Sequence, residues 1–202
     1  YNGFLPIFKK SNSTFNKKNI KNLKKNYLLS VGHFEKRKNL NNLIKAYNEN
    51  EYLKQNYDLI LVGNDSGYKA KLDKLINNFN INKKEKLLKN ITDNQLDLYY
   101  RQASIFVFPS IYEGFGIPII EAMHYNLPIA ASNIEVIKEI SDNQLIYFDF
   151  DNYSEINSKI EFLLKSSITQ RNQINSFKKI LKNYDYEYLS KQLISLYEEL
   201  ID

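Results

Sequence analysis

The stretch Ile105-Phe-Val-Phe108, Pro109-Ser-Ile-Tyr-Glu113-Gly114-Phe115-Gly116-Ile117, Pro118-Ile-Ile-Glu121-Ala122-Met123 decides the fold class. Four successive apolar residues suit a strand covered on both faces. A Gly/Pro loop follows, and Pro118 suits the first turn of a helix, where its missing amide hydrogen has no partner to lose. The same strand, loop and helix unit recurs on both sides. Upstream, Tyr27-Leu-Leu-Ser-Val31 ends at Gly32, and Leu40, Leu43, Ile44 and Tyr47 then repeat at helical spacing in a segment running to Leu53. Asp58-Leu-Ile-Leu-Val62 with Gly63 precedes a helix from Ala70 to Phe79, and Lys86 to Ile91 precedes a helix that Thr92 and Asp93 open as a cap. Downstream, short strands at Pro128 to Ala131 and Leu145 to Phe148 flank a helix near Ile134 to Ile140, and from Asp151 onward the pattern is helical throughout. Buried strands alternating with amphipathic helices predict an α/β fold, a doubly wound parallel sheet with helices on both faces.

Composition narrows the chemistry. The 202 residues suffice for one ordinary domain with a sizeable core. With no Cys there is no disulfide, thiolate metal ligand or thiol nucleophile, and two histidines, His33 and His124, are too few for a multi-His metal site. Ser110 lacks the glycine flanks of a nucleophile elbow. Apolar runs fall far short of the roughly 20 residues that span a bilayer. The chain opens on Tyr, not Met, without a charged-then-apolar leader, so it reads as part of a longer cytoplasmic protein. Net charge is +5, weighted towards the N-terminal end, which fits phosphate ligands, anionic lipid or nucleic acid alike. Arg37, Arg101 and Arg171 are the only arginines and do not cluster with aromatics, so nucleic-acid binding rests on charge alone.

In an open parallel sheet, ligands bind beyond the carboxyl ends of the strands, so the loops there matter most. After Val31 the chain reads Gly32-His33-Phe34-Glu35-Lys36-Arg37-Lys38-Asn39, one glycine and three successive cations before a helix. That loop reads as a phosphate clamp or as a solvated basic loop. After Phe108, Gly114 and Gly116 bare the backbone before a helix start that can receive an anion. Glu113 lies before that helix and Glu121 within it. Eight helical residues would leave them roughly 80° apart, so they are not read as a close dyad. Either they contact different hydroxyls of one ligand, or Glu113 is a surface charge and Glu121 a helix-dipole residue. No third glycine completes a dinucleotide fingerprint, and no Gly-Lys-Ser/Thr loop occurs.

Together, Phe108 to Met123 and Asn126-Leu-Pro-Ile-Ala-Ala-Ser-Asn133 closely resemble the signature of glycosyltransferase family 4, retaining enzymes of the GT-B fold, with Glu113 and Glu121 meeting its Glu-x7-Glu spacing. Ser30 to Leu40 looks like the family's phosphate loop, Leu61-Val-Gly63 like its second strand, and Tyr1-Asn-Gly3 like the entry to its C-terminal domain. The resemblance implies a Rossmann-like, donor-binding half of a two-domain enzyme. It implies residues 1–26 as an entry segment from an N-terminal domain, 27–182 as the nucleotide-sugar domain, and 183–202 as a C-terminal helix packing on it. It also implies site roles. Lys38, with Arg37, would bind the donor diphosphate and act in catalysis with Glu113, which would hold hydroxyls of the transferred sugar. Glu121 would bind the ribose. Gly32, His33 and Gly114 would border the donor, the amides of Phe115, Gly116 and Ile117 would meet sugar and phosphates, and Ile91 and Thr92 would lie against the base.

The implied reaction moves a hexose, with retention, from a UDP- or GDP-sugar to a saccharide or lipid-linked acceptor in polysaccharide or lipopolysaccharide assembly, without a metal or other cofactor. Three positions depart from the family pattern. His33 stands where Arg or a small residue is frequent, Asn126 replaces a frequent Gly, and Lys89-Asn90-Ile91 lacks the Gly that usually precedes the base. A nucleotide-sugar-binding module without turnover is the competing class, and a GT-B epimerase a weaker one. The Lys-rich stretch from Lys9 to Lys25 reads as a peripheral contact with anionic headgroups at the inner face of the membrane or as a solvated loop.

Overall fold

A computed structural model describes residues 26–81 and 85–201. The expected entry segment, with Tyr1-Asn-Gly3 and the Lys9 to Lys25 stretch, lies outside the described residues except for Asn26. Six parallel strands, β1 (Tyr27–Val31), β2 (Asp58–Val62), β3 (Glu85–Leu88), β4 (Ile105–Phe108), β5 (Ile129–Ser132) and β6 (Ile146–Phe148), form one sheet in the order β3-β2-β1-β4-β5-β6. The doubly wound Rossmann-like class expected from the alternation is the one observed.

Alternation within each strand builds two cores. In β1, Leu28 joins the cluster under α1 (Leu40–Glu49), α3 (Lys69–Asn78) and α7 (Tyr153–Lys165), whereas Tyr27 and Leu29 face the cluster under α4 (Asp93–Gln102), α5 (Ile117–His124), α6 (Glu135–Ile140) and α8 (Ser167–Lys182). Both faces are therefore dry, which is why the strands read as continuous apolar runs. Strands β1 and β4 are neighbours, Leu28 opposite Ile105 and Leu29 opposite Phe106, yet α1 after β1 covers one face and α5 after β4 the other. The loops after β1 and β4 thus part over a crevice at the carboxyl edge.

Local chemistry explains the element ends. Thr92 caps α4 in a full capping box, its hydroxyl accepting from the Gln95 amide while the Gln95 side chain accepts from the Thr92 amide. The helix expected to run from Leu40 to Leu53 instead breaks at Asn50, which leaves helical geometry and whose side chain accepts from the Leu53 amide to start α2 (Glu51–Asn56). Strand β3 stops at Leu88, and Asn90 turns with φ 54°. The last helix, α9 (Tyr186–Ile201), leaves Leu193, Ile194, Leu196, Tyr197 and Leu200 exposed, so the expected packing of 183–202 on the domain does not bury its apolar stripe.

The carboxyl ends of β1 and β2 approach so closely that a Cβ on Gly63 would lie 1.9 Å from the Gly32 carbonyl oxygen. Gly114, by contrast, has nothing within 4 Å of such an atom. Gly63→Ala should destabilise the chain by about 2–3 kcal/mol or more, because backbone must move, while Gly114→Ala should change stability by less than about 0.5 kcal/mol. Urea unfolding of the two variants checks this, and equal effects would contradict the packing described.

Candidate functional site

The loops after β1 and β4 are stitched together across the crevice. The Ile111 amide donates to the Arg37 carbonyl at 2.8 Å, which brings the short 3-10 turn Lys36–Lys38 against the loop carrying Glu113. Glu113 then accepts from both cations, Oε2 at 2.6 Å from Arg37 Nη1 and Oε1 at 2.7 Å from Lys38 Nζ. Arg37 is also paired with Glu35 at 2.7 Å, and its guanidinium lies 5.6 Å from the centre of the Tyr112 ring. The Lys38 ammonium sits 5.2 Å from the centre of the Phe108 ring, and its stem passes Gly32, where a Cβ would meet Cε at 3.1 Å. Gly32 is therefore the space through which Lys38 reaches the crevice. The sequence leaves open a phosphate clamp or a solvated basic loop; in the structure Arg37 and Lys38 are engaged by carboxylates of the chain itself.

The Glu113 loop ends at Gly116, whose φ of 103° suits glycine and whose position is packed against Ile137 and Ile140. No side chain caps α5, so its first turn faces the crevice without a built-in acceptor. Ile117 and Gly114 are exposed there, while Phe115 is half-buried with its ring edge-on to Tyr184 at 5.8 Å. His33 is exposed and makes the turn after Gly32. Ile91 is half-buried and Thr92 exposed, both at the same carboxyl edge after β3. The adjoining loops are tied in as well: Gly32 donates to Val62 at 2.8 Å, Gly63 to Leu88 at 2.9 Å, and the Asn90 amide to the Asn64 side chain at 3.1 Å.

Glu121 is separated from this cluster and has different partners. It is buried on the inner face of α5, where the Tyr100 hydroxyl donates to it at 2.7 Å. Tyr100 is itself fully buried, stacked on Tyr125 with ring centres 5.0 Å apart. Tyr125 in turn donates to Asp97 at 2.7 Å, and Asp97 is paired with Arg101. Burial raises the Glu121 carboxyl above its ordinary value, the Tyr100 hydrogen bond opposes that rise, and Asp93 at the start of α4 adds to it. Glu113 and Glu121 keep separate partners, as expected from the sequence, but not through helical spacing, because α5 begins only at Ile117; the sequence offered no sign of Tyr100, whose partner lies 21 residues away on another helix. Among the described residues no group of His, Asp and Glu could hold a metal ion, and no helix is long and apolar enough to cross a membrane. A second groove, lined by Asn126, Lys178, Leu181, Lys182 and Tyr188, contains none of the expected donor-site residues, although Asn126 is one of the three positions that depart from the family pattern.

A carboxyl raised by folding lends stability below its unfolded value, near 4.5, and loses it as the pH climbs through the folded value. Glu121→Gln keeps an acceptor for Tyr100 and has no charge to bury. Its stability relative to the unsubstituted chain should therefore rise between about pH 4 and pH 7. Urea midpoints across that range test the point, and parallel curves for the two chains would contradict it.

Comparison with known proteins identifies the family and the fold. The family model for glycosyl transferases group 1 matches residues 11–180. The O-antigen chain mannosyltransferase RfbU of Salmonella typhimurium is 32% identical over 171 residues, 85% of this chain and 46% of that protein. The O-antigen chain mannosyltransferase B of Escherichia coli is 29% identical over 183 residues, 86% of this chain and 46% of that protein. The chain thus spans about half the length of these curated relatives. Among solved structures, Anabaena HepE in complex with UDP and glucose superposes with a TM-score of 0.77 at 17% identity, covering 87% of this chain and 49% of that one. Sucrose-phosphate synthase of Thermosynechococcus elongatus gives a TM-score of 0.75 at 22% identity, covering 87% and 45%. These likenesses bear out the resemblance carried by the Glu113 to Glu121 segment, and the chain belongs to the group 1 glycosyl transferases.

Proposed function

We propose that this chain is the donor-binding half of a retaining, metal-independent glycosyltransferase that moves a hexose from a nucleotide sugar to a saccharide or lipid-linked acceptor in surface polysaccharide assembly. The observation that carries the reading is the junction of Arg37, Lys38 and Glu113 at the β1/β4 crevice, beside the uncapped start of α5. Sugar transfer leaves a nucleoside diphosphate, so negative charge grows on the leaving oxygen. Fixed cations and helix amides stabilise that charge without reorganising. Arg37 and Lys38 supply charge that other enzymes take from a divalent ion. Glu113 holds hydroxyls of the transferred sugar, Glu121 those of the ribose, and Ile91 and Thr92 border the base. Gly32, His33 and Gly114 flank the diphosphate and sugar, and the amides of Phe115, Gly116 and Ile117 complete the cradle.

The names of the O-antigen relatives support a mannosyl donor, and the UDP in the HepE structure supports a nucleoside diphosphate as part of the ligand. An N-terminal domain of the same parent protein supplies the acceptor side, in keeping with the half-length coverage of the relatives. This reading places the enzyme in the cytoplasm, peripherally at the inner face of the membrane, where a lipid-linked acceptor would be met.

Thermal denaturation with UDP, GDP, ADP and their hexose conjugates tests the assignment. A ligand at about 100 times its Kd should add roughly 2.7 kcal/mol of stability. One nucleotide series should raise Tm in the unsubstituted chain, and both Lys38→Ala and Glu121→Ala should lose that rise. A folded chain that responds to no nucleotide would sink the reading.

A further inference from the structure

The cations assigned above to the donor diphosphate are already occupied from within the chain. Glu35, Arg37, Glu113 and Lys38 form a linked row of alternating charge whose sum is zero, with contacts of 2.7, 2.6 and 2.7 Å. The Glu113–Lys38 end of the row is withdrawn from water, the two side chains 7% and 9% exposed, whereas Arg37 is 28% exposed. Lys38 is also held in place, its stem against Gly32 and its ammonium over the Phe108 ring. Arg37 is anchored through its own carbonyl, which accepts from Ile111. Both cations are therefore already paired, and an anion that draws on the donors they give to Glu113 takes the place of its carboxylate.

We propose that Glu113 is an internal stand-in for the diphosphate, so that donor binding is an exchange of anions, and that this exchange makes the site favour nucleotide sugar over free nucleoside diphosphate. The inference rests on the donor-site reading above. Displacing Glu113 strips a largely desolvated carboxylate of two charge-assisted hydrogen bonds, and such a group left unpaired is costly. A nucleotide sugar brings hydroxyls that donate to the displaced carboxylate. A nucleoside diphosphate brings none. After transfer the sugar has gone, and Glu113 returns to the cations and drives out the diphosphate product. The residue thus acts on ligand discrimination and product release through the cations that it releases and reclaims.

Calorimetric titration of the full chain with inorganic pyrophosphate, with UDP, GDP and ADP, and with their hexose conjugates tests the exchange. In Glu113→Gln, pyrophosphate and the responding diphosphate should bind about tenfold more tightly, while the nucleotide sugar gains much less, so discrimination narrows. Glu113→Asp, which keeps the charge but shortens its reach, should fall between, and it decides by the same criterion if the Gln variant does not fold. A merely electrostatic gain would tighten diphosphate and nucleotide sugar equally, and that outcome would overturn the proposal. So would diphosphate binding that is unchanged or weaker in both variants while the unsubstituted chain binds nucleotide. If the unsubstituted chain binds neither pyrophosphate nor any nucleotide, it is the donor-site reading that fails, and the exchange falls with it.

Discussion

Everything at the crevice depends on one constraint: β1 and β4 are hydrogen-bonded neighbours, yet the helices that follow them cover opposite faces of the sheet. Their loops must diverge as they leave the sheet, opening a gap at its carboxyl edge. The gap is bridged by the Ile111 to Arg37 backbone bond and by the Glu113 carboxylate between two cations. A topological rule thereby becomes a charged site, because the residues nearest the gap are those whose backbone is already committed to turning there.

Much of this was legible in the sequence. Strands β1, β2 and β4 are covered on both faces, so their apolar runs are uninterrupted and easy to read. Thr92 announced its helix because a cap is a local interaction over three residues. The break at Asn50 was masked by the apolar spacing of Leu40 to Leu53, although its cap on the Leu53 amide is as local as that of Thr92; its second bond, to Glu161, lies 111 residues on. What else escaped was governed by partners distant in sequence. The pairing of Arg37 and Lys38 with Glu113 gave no sign in the sequence because Glu113 is 75 or more residues away and only the fold brings it near. Tyr100 gave no signal beyond a helical apolar position, yet its hydroxyl determines how Glu121 is held.

The two carboxylates illustrate different ways of keeping charge in a dry place. Glu113 is matched by cations within hydrogen-bond reach. Glu121 has only the Tyr100 hydroxyl, and Asp93 opposes it, so its ionised form is poorly accommodated. Such local compromises are the usual mark of a site maintained for binding, and the surrounding core absorbs them. The two apolar cores beneath the crevice hold the loops in place against that cost.

The central claim, that the β1/β4 crevice receives a nucleotide sugar, is tested most directly by hydrogen–deuterium exchange of the chain with and without a saturating nucleotide sugar. The account requires slowed exchange at the amides of 32–38, 114–117 and Ile119, with α9 unchanged. Protection confined to the groove beside α8 and α9, with the β1 and β4 loops unaffected, would contradict it.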